Sequence, residues 1–128
     1  MTNPHALIVD DNANNLEVLA ALLNVQGITY TAVKDSVKVG SVLETIAKID
    51  IVFCDLEMPQ MDGYELLSAL RQQLGASVPI VACTVHLREI ATTREMGFDG
   101  FIGKPIDSDK FPDQVARILN GQAVWELP

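Results

Sequence analysis

Apolar residues recur along this chain with two different spacings. Short unbroken runs, Leu7-Ile8-Val9, Ile51-Val52-Phe53-Cys54, Ile80-Val81-Ala82-Cys83 and Phe101-Ile102-Gly103, are strand-length and uniformly apolar. Such runs predict strands buried on both faces of a parallel sheet. A further strand over about Ile28 to Val33 is rich in β-branched residues and Tyr. The segments between show helical spacing: Leu16, Leu19, Ala20 and Leu23; then Val39, Val42, Leu43 and Ile46; then Leu66, Leu67, Leu70 and Leu74. A weaker stripe covers about Leu87 to Met96, and a last helix places Phe111, Val115, Ile118 and Leu119 inward.

The punctuation agrees with these elements. Gly27, Gly75, Gly97 and Gly121 follow the helices, as residues past a helix end should. Asp62 with Glu65 three residues on suits a helix start. Pro79 opens a strand, where its missing N–H costs little. Strands are expected over about His5 to Asp10 and from Ile51 to Asp55. Alternation of five strands with five helices predicts a three-layer α/β/α sandwich with right-handed crossovers. The 128 residues make one domain, with a core over about 4–120 and residues 121–128 as a C-terminal tail. Gln122 to Pro128 are expected to be frayed or loosely packed, the alternative being that Trp125 docks on the body or serves a partner.

Composition narrows the function classes. A net charge of −8 disfavours nucleic-acid binding, which relies on Lys and Arg against phosphates. No apolar stretch is long enough to cross a bilayer, and the N-terminus Met1-Thr2-Asn3-Pro4-His5 is too polar for a secretory leader. A soluble cytoplasmic protein is expected. Cys54 and Cys83 read as buried reduced thiols, and His5 and His86 lack metal-ligand spacing.

The chemistry lies where the strand runs end. Their next residues are Asp10-Asp11, Asp55, Thr84 and Lys104-Pro105. In a parallel sheet those ends share one edge, and ligands bind in the crevice beyond it. Converging carboxylates repel one another unless a cation neutralises them, and an all-oxygen site suits Mg²⁺. Asp10 and Asp11 form the metal end, and Asp55, alone at a strand tip, is the candidate nucleophile for an aspartyl phosphate. Lys104 supplies a positive charge and Thr84 a hydroxyl for phosphoryl oxygens.

These residues resemble a response-regulator receiver domain of two-component signalling. The match is most specific at Asp55-Leu56-Glu57-Met58-Pro59-Gln60-Met61-Asp62-Gly63, with Leu7-Ile8-Val9-Asp10-Asp11 and Gly103-Lys104-Pro105 adding to it. The resemblance covers about residues 4 to 120 and implies the flavodoxin-like strand order 2-1-3-4-5, in a stand-alone, chemotaxis-regulator-like receiver. It implies that Asp55 accepts phosphate from a sensor histidine kinase or a histidine phosphotransfer protein. It implies Mg²⁺ (or Mn²⁺) held by Asp11, Asp55 and the Glu57 backbone carbonyl, with Asp10 acting mainly through water. Lys104 would bind the phosphoryl group beside a cis Lys104-Pro105 bond, and Thr84 and Phe101 would form a switch pair. That switch would change the surface of the fourth helix, fifth strand and fifth helix for an unknown downstream partner. Glu57 and His86 sit where the family tunes the phosphorylated lifetime. Val85 stands where a smaller residue is usual, and its bulk is expected to slow phosphoryl entry or water attack.

The same residues bear on two other functions. A small aspartyl-phosphate phosphatase would use Glu57, two residues past Asp55, as general acid, yet no cap insertion encloses a substrate. A vestigial interaction module is disfavoured by the complete polar set. The expectation is therefore a signalling switch that catalyses only its own phosphorylation and dephosphorylation.

Overall fold

The computed structural model describes residues 3–58 and 61–128. Strands His5–Val9 (β1), Thr29–Val33 (β2), Ile51–Cys54 (β3), Ile80–Thr84 (β4) and Gly100–Gly103 (β5) run parallel in the order β2-β1-β3-β4-β5. All residues of β3, β4 and β5 are buried, as their uniformly apolar sequence requires. β2 is an edge strand and is mostly exposed at Thr29, Tyr30 and Ala32.

Helices Ala13–Val25 (α1), Val39–Leu43 (α2), Gly63–Leu74 (α3), Ile90–Met96 (α4) and Phe111–Leu119 (α5) cover both faces. Val39, Leu43, Leu66, Leu67 and Leu70 build the core of one face with Val9, Val52, Ile80 and Phe101. Leu16, Leu19, Leu23, Phe111, Val115 and Ile118 build the other with Ile8, Phe53 and Val81. Single 3₁₀ turns, Ser36–Lys38 and Leu87–Glu89, lead into α2 and α4. α2 ends at Leu43, before the predicted Ile46, although Ile46 still packs on the core. Among the described residues no helix is long and apolar enough to cross a membrane.

The expected α/β/α architecture and strand order hold, and the end of the chain adds to them. The sheet has six strands rather than five, because Val124–Glu126 (β6) pairs in parallel with the outer edge of β5. Gln122 to Pro128 are therefore not a loose tail: Val124 is buried and Trp125 packs, as Ile90 of α4 does, against the core cluster that α2 and α3 cover. The physical cause is β5 itself, whose outer edge offers unpaired backbone groups and whose terminal glycines leave room for a neighbouring chain.

Cys54 and Cys83 are not directly opposite each other, since Cys54 pairs with Ala82 and Cys83 faces the other side of the sheet. Both are buried free thiols, and burial pushes the Cys83 thiol up to about 12 and the Cys54 thiol higher still.

Candidate functional site

The C-terminal ends of β1, β3, β4 and β5 meet as predicted. Asp10, Asp11 and Asp55 bring one carboxylate oxygen each to within 4.8 Å of one another. Among the described residues no other group of three or more His, Cys, Asp or Glu converges in this way. His5 stands apart, with each ring nitrogen 2.7 Å from a hydroxyl, of Thr29 and of Thr31.

Each carboxylate is held differently. Asp10 is buried: Oδ1 accepts from the Asn12 N–H at 2.9 Å and Oδ2 from Lys104 Nζ at 2.5 Å. Asp11 is solvent-accessible beside an open groove that it lines with Glu57, Met58 and Asp62. Asp55 sits at the tip of β3, where Oδ1 accepts from its neighbour Leu56 N–H at 2.7 Å. Asp55 Oδ2 lies 3.6 Å from Lys104 Nζ. Just beyond, Asp62 caps α3 by accepting from the Glu65 N–H at 2.9 Å, and Gly63 packs against Leu56 so closely that no side chain fits there. Pro59 and Gln60, which belong to the loop match quoted above, lie outside the described residues.

The charges do not balance. Three carboxylates face one ammonium, so the cluster carries excess negative charge. Burial lifts the Asp55 carboxyl above the usual carboxylate range; Lys104 opposes that lift, Asp10 adds to it, and the Leu56 and Glu57 N–H groups oppose it. Burial works to lower the Lys104 ammonium, but the Asp10 hydrogen bond and the surrounding negative groups outweigh it, so the net shift is upward. The all-oxygen donor set and the missing positive charge fit a hard divalent cation such as Mg²⁺.

The remaining predicted residues surround this centre. Thr84 ends β4, is fully buried, and its hydroxyl oxygen accepts from the His86 N–H at 3.1 Å. Phe101 lies fully buried on the same face of the sheet, with register pairs Ala82 to Phe101 and Thr84 to Gly103. The Lys104-Pro105 peptide is cis. Val85 projects into solvent beyond β4. His86 Nε2 and Glu57 Oε2, 3.0 Å apart, link the loops after β4 and β3. Sequence reasoning placed both residues here but missed this bridge, and it missed the Asp10–Lys104 pair, since neither pairing has a signature in spacing.

The profile of the response regulator receiver domain matches residues 6–116, and the chain belongs to that family. The sensor histidine kinase RcsC of Salmonella typhi is 37% identical over 112 residues, covering 86% of this chain and 12% of that protein. The sensor histidine kinase GacS of Pseudomonas protegens is 32% identical over 120 residues, covering 89% of this chain and 13% of that protein. The chain spans 10% to 14% of the length of such curated relatives. Among solved structures, the receiver domain of a sensor histidine kinase from Pseudomonas aeruginosa PAO1 superposes with a TM-score of 0.79 at 27% identity, covering 93% of this chain and 99% of that one. That protein was solved with a magnesium ion coordinated in its active-site cleft. The chemotaxis protein CheY4 of Vibrio cholerae shares the fold, with a TM-score of 0.82 at 22% identity over 91% of this chain and 99% of that one.

Proposed function

We propose that this receiver domain is a Mg²⁺-dependent phosphoacceptor switch, with Asp55 as the residue that is phosphorylated. One observation carries the reading: carboxylates from β1 and β3 converge within 4.8 Å while Lys104 from the end of β5 stands 3.6 Å from Asp55. Phosphoryl transfer asks a protein for positioning and charge neutralisation above all, and this cluster offers both. The donor is a phosphohistidine of a sensor histidine kinase or phosphotransfer protein, a reading supported by kinase relatives that carry a matching segment.

An Asp55 carboxylate oxygen attacks phosphorus, the phosphorus–nitrogen bond breaks with its electron pair returning to the imidazole, and an acyl phosphate forms. Lys104 then pairs with a phosphoryl oxygen and the Thr84 hydroxyl donates to another. Asp11, Asp55 and the Glu57 carbonyl would hold Mg²⁺ (or Mn²⁺), with Asp10 acting mainly through water, and the bound ion would supply the charge neutralisation that Lys104 alone does not. Water attack at phosphorus later releases inorganic phosphate and restores Asp55. The domain catalyses only these two steps on itself, so it is a switch rather than an enzyme for other substrates. Thr84, drawn toward the phosphoryl group, and Phe101 behind it carry the change to α4, β5 and α5, where a partner protein reads it. Reduced thiols at Cys54 and Cys83 fit a cytoplasmic location.

Incubation with Mg²⁺ and acetyl phosphate should add one phosphoryl group by intact mass, and Asp55→Asn should abolish it. Label that survives in Asp55→Asn, or never forms in the parent protein, overturns the assignment.

A further inference from the structure

Glycine stands at both ends of β5, a costly choice in a strand because it packs nothing and loses the most freedom on ordering. The segment after α5 accounts for Gly100, and at Gly103 it shares that role with Leu87 of the turn before α4. A Cβ at Gly100 would meet the Val124 carbonyl oxygen at 3.0 Å. At Gly103 it would meet Leu87 Cδ2 at 2.6 Å and Pro128 Cδ at 2.7 Å. β5 is thus shaped to receive residues 124–128 along its outer edge.

Side chains from both flanking helices then hold that segment in place. Phe101 pairs in register with Trp125 and Ile102 with Glu126. The Arg94 guanidinium of α4 lies 5.3 Å from the Trp125 ring centroid. From α5, Gln114 Nε2 donates to Glu126 Oε1 at 2.9 Å and Arg117 donates to Glu126 Oε2 at 3.0 Å. Gln114 is itself buried, and its amide nitrogen makes this contact while Oε1 has no partner among the described residues.

The segment lies against the switch pair. Ala82, Thr84, Phe101 and Gly103 project to one face of β4 and β5. Trp125 flanks Phe101 along the sheet, and Pro128 fills the space over Gly103, the register partner of Thr84. A β5 without this neighbour would expose an edge onto which the Phe101 ring could swing. With β6 docked, Phe101 has no exposed surface.

Building on the phosphoacceptor reading, we propose that residues 122–128 form a clasp on β5 that is coupled to Asp55. The docked strand keeps Phe101 enclosed, and phosphorylation, by drawing Thr84 inward and favouring the enclosed Phe101, tightens the clasp. The surface shown to a partner is then α4 with β6, where Ile90, Ala91, Arg94, Glu95 and Trp125 line one groove, rather than a bare β5 edge. Because coupling between binding events is reciprocal, the clasp must in turn strengthen binding of a phosphoryl group.

Trp125 is the sole tryptophan, so its fluorescence reports on the clasp alone. The experiment titrates beryllofluoride, a phosphoryl mimic, in the presence of Mg²⁺. The parent protein should bind it in an Asp55-dependent manner, and acrylamide quenching of Trp125 should fall as it binds. Deletion of residues 122–128 should weaken beryllofluoride binding about fivefold or more. Glu126→Ala, which keeps Trp125 and the full chain, should weaken it in the same direction and covers the case in which the deletion fails to fold. Asp55-dependent binding with unchanged quenching and unchanged affinity in Glu126→Ala overturns the clasp and leaves the phosphoacceptor intact. Absence of Asp55-dependent binding overturns the phosphoacceptor reading and the coupling with it.

Discussion

Asp55 meets two opposed demands. It must be ionised to attack phosphorus, yet burial raises its pKa, with Lys104 working against that rise and Asp10 adding to it. A carboxyl with a raised folded-state pKa binds its proton more firmly in the folded protein than in the unfolded chain. Its contribution to stability is therefore fully present below the unfolded value of 3.8 and is lost as pH rises through the folded pKa. Without added metal, Asp55→Asn should raise the urea midpoint at pH 7, and the gain over the parent should shrink as pH falls toward 4. An equal gain at both pH values would show that the Asp55 charge is not the cause. Removal of Lys104 acts on stability in the opposite direction. Among the described residues its ammonium is the only cation on buried Asp10, so Lys104→Ala leaves a buried carboxylate unpaired and should cost about 3 kcal/mol in urea unfolding. These side chains were legible in the sequence because each follows an apolar run, and a parallel sheet gathers such ends. Which carboxylate takes the lysine was not legible, since that depends on loop paths with no periodic signal.

The helices and strands that the periodicity marks are the long ones, and the misses fall where an element is too short to show a period. β6 is three residues long, so neither alternation nor an apolar run could identify it. What does point to it, in retrospect, is Gly100 at the start of β5, where a Cβ would meet the Val124 carbonyl oxygen at 3.0 Å. α2 shrinks to five residues for a related reason, as Gly40 inside it weakens a helix that already contains β-branched residues. Two glycine substitutions separate these roles. A Cβ on Gly40 meets nothing within 4 Å, so Gly40→Ala should stabilise by roughly 0.5–1 kcal/mol. A Cβ on Gly63 would lie 2.7 Å from the Leu56 Cα, a backbone atom that cannot step aside, so Gly63→Ala should destabilise by about 1–3 kcal/mol. Urea unfolding of both variants checks the pair, and a shift of the same sign in both would contradict the packing described for α3.

Across the whole molecule, the arrangement that makes a phosphoryl site is also a source of instability. The chain carries a net charge of −8, and folding concentrates three carboxylates at one edge of the sheet with a single lysine between them. An unfolded chain would disperse these groups, so like-charge repulsion is a cost of the native state alone. A divalent cation that binds the native cluster and not the dispersed chain should relieve it and stabilise by mass action, about 2.7 kcal/mol at a concentration one hundred times its dissociation constant. Mg²⁺ should therefore raise the urea midpoint of the parent protein in a saturable manner, while NaCl at equal ionic strength only screens. Asp11→Asn distinguishes site binding from general screening: Asp11 is solvent-accessible, so its loss should shift metal-free stability by no more than about 0.5 kcal/mol. The same substitution should remove most of the Mg²⁺ response. If Mg²⁺ stabilises Asp11→Asn as much as the parent, the ion is acting on surface charge at large, and the cluster at the strand ends is not its site.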